Sequence, residues 1–176
     1  MAFPVLHTPR LLLREIAGAD IDKVFEGLSH PEVIKQYGVS FTTLESTKEQ
    51  MDWCANMIKA AIGRCWAICA ADSSIFYGVI TLPFWKKEHR KAGLGYWLLP
   101  QFWRKGIVTE AAAKVIEYAF TQMNLHRIMA EVEDDNAGSI ASLKKLRFVY
   151  EGTQRECEIK DGGFLNLEMY ALLNSK

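Results

Sequence analysis

The chain has 176 residues, 49% hydrophobic and 24% charged, with 21 basic and 21 acidic side chains that cancel. That length suits one domain spanning 1–176, and the zero net charge supplies no global field to draw in nucleic acid or an anionic membrane surface. No apolar run reaches the length of a membrane span, and the opening "MAFPVLHTPR" lacks the pattern of a secretory leader, so the cytoplasm is the expected compartment.

In chain order, "RLLLREI" (10–16) reads as a strand and 18–30 as a short helix opening near Asp20. Residues 43–61 form a second helix, because Met51, Cys54, Met57, Ile58 and Ala61 recur at helical spacing. "CWAICA" (65–70) and "FYGVITLPF" (76–84) read as paired strands, followed by a third at 91–100 that Pro100 ends. A helix over 108–123, a strand over 127–133 and a helix over 136–146 lead to two last strands, 148–159 and 164–173, around the turn "KDGG". Seven strands and four helices in this order predict an α/β (α+β) domain, a mixed sheet with helices on its faces.

Cys54, Cys65, Cys69 and Cys157 form no CxxC and no Cys/His ligand set, so they read as buried small hydrophobes or free thiols, and no metal is expected. The five tryptophans read mostly as core. Trp85, before the charged "KKEHRK" loop, is the one that could instead line a groove.

The stretch "FWRKGIVTEA" lies between a strand and a helix, where open α/β sheets bind ligands. Gly106 lets the backbone turn so that amides of Arg104, Lys105, Gly106, Ile107, Val108 and Thr109 could face a diphosphate, with Thr109 capping the helix. Read locally, the same string is equally a plain glycine loop. Neither a P-loop nor a dinucleotide GxGxxG is present.

"GYWLLPQFWRKGIVTEA" resembles the acyl-CoA-binding motif of GNAT-superfamily N-acetyltransferases, in the branch of the RimJ and RimL ribosomal-protein acetyltransferases. "LHTPRLLLR" is similar to that branch's opening, "NAGSIASLKKLRF" to its N-x-x-S…K-x-G-F segment, and "KDGGFLNLEMYALL" to its final hairpin. Trp103 and Val108 stand at the ends of the [RQ]-x-x-G-x-[GA] core, and Arg147 replaces the later glycine.

The resemblance implies a mainly antiparallel sheet and direct acetyl transfer from acetyl-CoA to an amine. It implies a diphosphate held by residues 104–109 and an oxyanion donor at the Leu98 or Leu99 amide. It also implies Ser139 as proton donor to the departing thiolate, with Asn136 anchoring the turn and touching pantetheine or acceptor. Read locally, Asn136 is equally a helix cap with Ser139 in its first turn. Glu158, ahead of Glu156 on the same strand, is the base for the acceptor ammonium, or a carboxylate on a solvent face. Glu110 at the helix start favours the dipole. The implied acceptor is a protein N-terminus of ribosomal type, or else a small amine; the oligomeric state is open, with a homodimer through strands or the final hairpin as one arrangement. A CoA-binding sensor without catalysis is the competing class.

Overall fold

A computed structural model describes residues 3–175. Nine strands and five helices lie among them: β1 (Leu6–His7), β2 (Leu11–Glu15), α1 (Ile21–Leu28), α2 (Pro31–Ile34), α3 (Leu44–Lys59), β3 (Arg64–Ala70), β4 (Phe76–Leu82), β5 (Lys91–Gly93), β6 (Gly95–Leu98), α4 (Ile107–Thr121), β7 (Arg127–Glu133), α5 (Ala137–Lys145), β8 (Val149–Lys160) and β9 (Gly163–Leu173). Two sheets result, ordered β1-β2-β3-β4-β6 and β5-β7-β9-β8. Every strand pairing is antiparallel except β5 with β7.

The mixed, mainly antiparallel architecture matches the sequence reading, with three refinements. The expected strand 91–100 divides: Lys91–Gly93 pairs with β7, and after Leu94, whose amide still bonds Met129, the chain turns to pair with β4. The expected helix 18–30 is shortened, with Gly18–Asp20 a 3-10 turn and α1 running only from Ile21 to Leu28, and Pro31 opens α2 as a separate helix. A short extra strand forms where His7 meets Leu12.

The first sheet is covered on both faces. Val24, Leu28, Cys54 and Met57 from α1 and α3 close over Cys65, Val79 and Trp97. On the opposite face Ala111, Ala112, Val115 and Ala119 of α4 pack on Trp66, Ile68, Ile80 and Leu98 and continue to Ile128 and Val132 of the second sheet. Small side chains on α4 let it sit close to both sheets at once. Gly27 does the same for α1, since a Cβ there would collide with the Trp97 ring.

Two of the expected thiols are in fact joined. α3 lies on β3 with the Cα atoms of Cys54 and Cys65 5.8 Å apart, and the two form a disulfide, leaving Cys69 buried and Cys157 exposed as thiols. The tryptophans also divide: Trp66 and Trp97 are core, whereas Trp53 and Trp103 are substantially exposed.

Candidate active site

α4 begins with Gly106 as its N-cap, in the left-handed region at φ 74°. Thr109 is therefore the third helical residue and not the cap expected from its hydroxyl, because the turn is made by backbone that only glycine adopts without strain. Arg104 is also left-handed, at φ 60°, so the chain reverses sharply on both sides of Lys105. The amide of Glu110 bonds the Gly106 carbonyl, but the amides of residues 104–109 find no acceptor among the described residues. Orphan donors at a helix N-terminus are expected, and here they carry the positive end of the α4 dipole.

The loop is held from the far end of the sequence. Arg10 reaches Glu110 Oε2 with both Nε and Nη2, each at 2.6 Å, and its Nη1 donates to the Lys105 carbonyl at 3.1 Å. Thr8 adds a 2.5 Å bond to the same carboxylate. Burial opposes the charge of Glu110, yet the Thr8 and Arg10 hydrogen bonds win and hold its carboxyl below the usual range. Glu110 thus ties the loop to the β1–β2 turn, a role that its position at a helix start does not reveal. Lys105 lays its ammonium 5.5 Å from the centre of the Phe102 ring.

Beside this loop the two sheets part. Leu99 donates its amide to Tyr77 of β4 at 2.9 Å, so this amide is spent and cannot serve as the expected oxyanion donor. Pairs alternate along an antiparallel ladder, so the N–H and C=O of Leu98 turn away from β4 into the gap between sheets. The Leu98 carbonyl confirms that direction by accepting the Trp103 indole N–H at 2.9 Å. Trp103, at the first position of the loop's core, therefore braces the strand end.

A cleft of about 590 Å³ opens here. One wall is Arg104, Gly106, Ile107, Val108 and Thr109, the floor is Tyr96 and Leu98, and the third side is Asn136, Ser139 and neighbours from α5. The fourth side comes from α2 and its exit, Glu32 to Tyr37. Neither α3 nor the 84–91 loop contributes a lining residue, so Trp85, which the sequence offered as a groove wall, does not line this cleft. Trp85 instead stacks with Arg64 and Lys87, at 5.3 and 4.7 Å.

Asn136 caps α5, its side-chain oxygen accepting the Ser139 amide at 3.0 Å. Ser139 is thereby fixed in the first turn and lines the cleft, with the Tyr96 hydroxyl beside it. Burial raises the pKa of Tyr96, and the Ser139 hydroxyl partly offsets this; burial also pushes Tyr37 up to about 12. Both phenols are therefore protonated donors at neutral pH. Tyr96 and Tyr37 were missed by sequence reasoning, since nothing local separates a cleft tyrosine from a core one.

At the far end of α5 the replaced glycine proves harmless to the turn. Arg147 takes φ 65°, its amide bonds Lys144 and the Phe148 amide bonds Leu143, both at 3.0 Å, completing a Schellman cap.

Glu158 stands on exposed β8, outside the residues that line the cleft. The alternation expected to place Glu156 beside it is broken, because β8 bulges between Gln154 and Glu158 with Glu156 at φ 50°. Asn166 accepts the displaced Glu156 amide at 2.9 Å. No cluster of metal-ligating side chains occurs among the described residues, and no helix among them is long and apolar enough to cross a membrane.

Comparison with known proteins identifies the family and similar folds. The family described as acetyltransferase (GNAT) domain matches residues 10–149. A protein named uncharacterized N-acetyltransferase YoaA from Bacillus subtilis (strain 168) is 31% identical over 175 residues, covering 99% of each chain. Among solved structures, the acetyl transferase from Salmonella typhimurium that modifies the N-terminal serine of ribosomal protein L7/L12 superposes with a TM-score of 0.87 at 18% identity, over 98% of this chain and 100% of that one. Spermidine N-acetyltransferase from Vibrio cholerae, solved with CoA and spermine, gives 0.85 at 20% identity over 96% and 98%.

Proposed function

Because the chain belongs to the GNAT acetyltransferase family, we propose that it transfers the acetyl group of acetyl-CoA to an amine, with a protein N-terminal α-amine of the ribosomal type as acceptor. The observation that carries this reading is the run of unpartnered amides over residues 104–109, opening onto a cleft beside the outward-turned Leu98 amide. A diphosphate fits that run, since the donors are backbone groups already aimed by Gly106 and Arg104 can add a charge.

In this reading the amine nitrogen attacks the thioester carbonyl and forms the N–C bond. The negative charge that grows on the carbonyl oxygen is met by the Leu98 N–H. As the C–S bond breaks, the thiolate takes a proton from Ser139, the neighbouring Tyr96 hydroxyl reprotonates Ser139, and the second proton shed by the attacking nitrogen as the amide forms restores Tyr96. Asn136 acts by holding Ser139, because its own oxygen is committed to the Ser139 amide. An ammonium cannot attack, so the acceptor first loses a proton. Glu158 receives it through water: beyond the bulge β8 alternates regularly, and Glu158 shares the face of Lys160, whose ammonium reaches the cleft walls.

A polyamine acceptor is the second reading, favoured by the carboxylates of Glu32 and Asp135, which both line the cleft and would attract a polycation. One experiment separates the two. The protein is incubated with acetyl-CoA, short peptides differing in their first residue, and a panel of small amines, and acetylated products are read by mass. Acetylation of peptide N-termini supports the first reading, and labelled polyamines alone replace it with the second. Tight acetyl-CoA binding with no acetylated product from any class overturns both in favour of a sensor.

A further inference from the structure

A single ammonium joins the two sides of the cleft that lie away from the α4 loop. Lys160, beside the β8–β9 turn, donates to the Lys35 carbonyl at 2.6 Å and to Glu133 at 2.5 Å. Lys35 is the C-cap of α2, and no backbone amide among the described residues donates to its carbonyl. A cation there satisfies an orphan group at the negative end of the helix. Lys35 is followed directly by Gln36 and Tyr37, which line the cleft with it. Glu133 closes β7, three residues before Asn136 and six before Ser139. The Lys160 and Glu133 side chains are only 22% and 15% exposed, so water screens the pair less than it would a surface pair.

Resting on the amine-acetyltransferase reading above, we propose that Lys160 is a positioning residue that sets the spacing between the α2 wall and the α5 wall, and so the width of the acceptor side of the cleft. The bond to Lys35 spans 125 residues of sequence. α2 is a helix of four residues, too short to hold its own place. The α4 loop has its own tethers through Arg10 and Glu110, on the opposite wall. Loss of Lys160 therefore loosens the acceptor side and leaves the acetyl-CoA side unchanged.

The test uses Lys160→Met, Lys160→Arg and the double variant Lys160→Met with Glu133→Gln, the last removing the carboxylate that the first leaves without a partner. Hydrogen exchange is followed over residues 33–37, with acetyl-CoA affinity and the KM for an acceptor from the peptide and amine panel measured in parallel. Exchange over 33–37 is expected to rise about tenfold in both methionine variants and to stay near wild type in the arginine variant, which can still donate to both partners. Acceptor KM rises with it, while acetyl-CoA affinity stays within about twofold. Unchanged exchange in the double variant overturns the proposal, as does an equal loss of acetyl-CoA affinity. If wild-type protein acetylates no amine, the enzymatic reading fails, and the exchange measurement still decides whether Lys160 is the tether.

Discussion

Gly106→Ala tests the α4 loop at its tightest point. An added Cβ would meet only the Arg10 Nη2 atom, at 3.5 Å, an ordinary contact with a side chain that can shift. The cost is therefore conformational. Holding a residue with a Cβ at φ 74° costs about 1–2 kcal/mol, and the lower entropy of the unfolded alanine chain adds back roughly 0.4–1 kcal/mol. A net loss of about 1 kcal/mol lowers Tm by roughly 2–4 °C in a chain of this size. Strain on that scale also favours rotation of the loop out of the left-handed region, which turns its amides away from the cleft, so acetyl-CoA affinity should fall by about tenfold. The control is S-acetyl-pantetheine, which lacks the diphosphate. Thermal unfolding with and without each ligand reads both effects. The reasoning predicts a smaller acetyl-CoA-induced rise in Tm and an unchanged pantetheine response. If both ligands weaken equally, or if neither does while Tm falls, the amides of residues 104–109 do not hold a diphosphate.

Ser139→Ala should lower kcat about 100-fold, the lower end of general-acid effects because a thiolate already leaves readily, with acetyl-CoA affinity retained; stopped-assay turnover and calorimetry check the two halves. Arg147→Gly should stabilise the protein by roughly 1 kcal/mol in chemical denaturation, because the Schellman turn already formed at φ 65° is then strain-free. The acid limb of stability should depend on Asp20, which Arg14 holds in a two-bond pair at 2.7 and 2.8 Å. Burial raises the Asp20 pKa, but the Arg14 and Ala17 hydrogen bonds outweigh it, leaving a net depression. A depressed carboxyl contributes stability that is complete above its unfolded value near about 4 and is lost as pH falls through the lower folded value. Asp20→Asn should therefore reduce stability at neutral pH and flatten the fall on acidification, as followed by Tm between pH 7 and pH 2.5.

Much of the local architecture is legible in the residue order. β7 coincides with the expected 127–133, and α3, α4 and α5 lie within two residues of expectation at each end, because helical periodicity, caps and turn residues are local signals. Gly106 also declares itself, since a glycine between a strand and an alanine-rich helix has few other uses. Even the Asn136 cap is readable from one side chain and the helix that follows it.

Tertiary structure alone decided the rest. Residues 91–100 read as one strand because each half is apolar enough for a sheet; only the separate partners, β7 and β4, reveal that the chain crosses from one sheet to the other at Leu94. That crossing leaves Leu98 facing the gap while Leu99 is spent on Tyr77. The Arg10–Glu110 clamp, the Cys54–Cys65 bond and the Lys160–Lys35 tether follow the same logic. Each joins groups that are ordinary in their own neighbourhoods and acquire a role only through a partner brought close by the fold. A hydrogen bond across 100 residues leaves no periodicity in the chain, whereas a helix repeats its signature every turn.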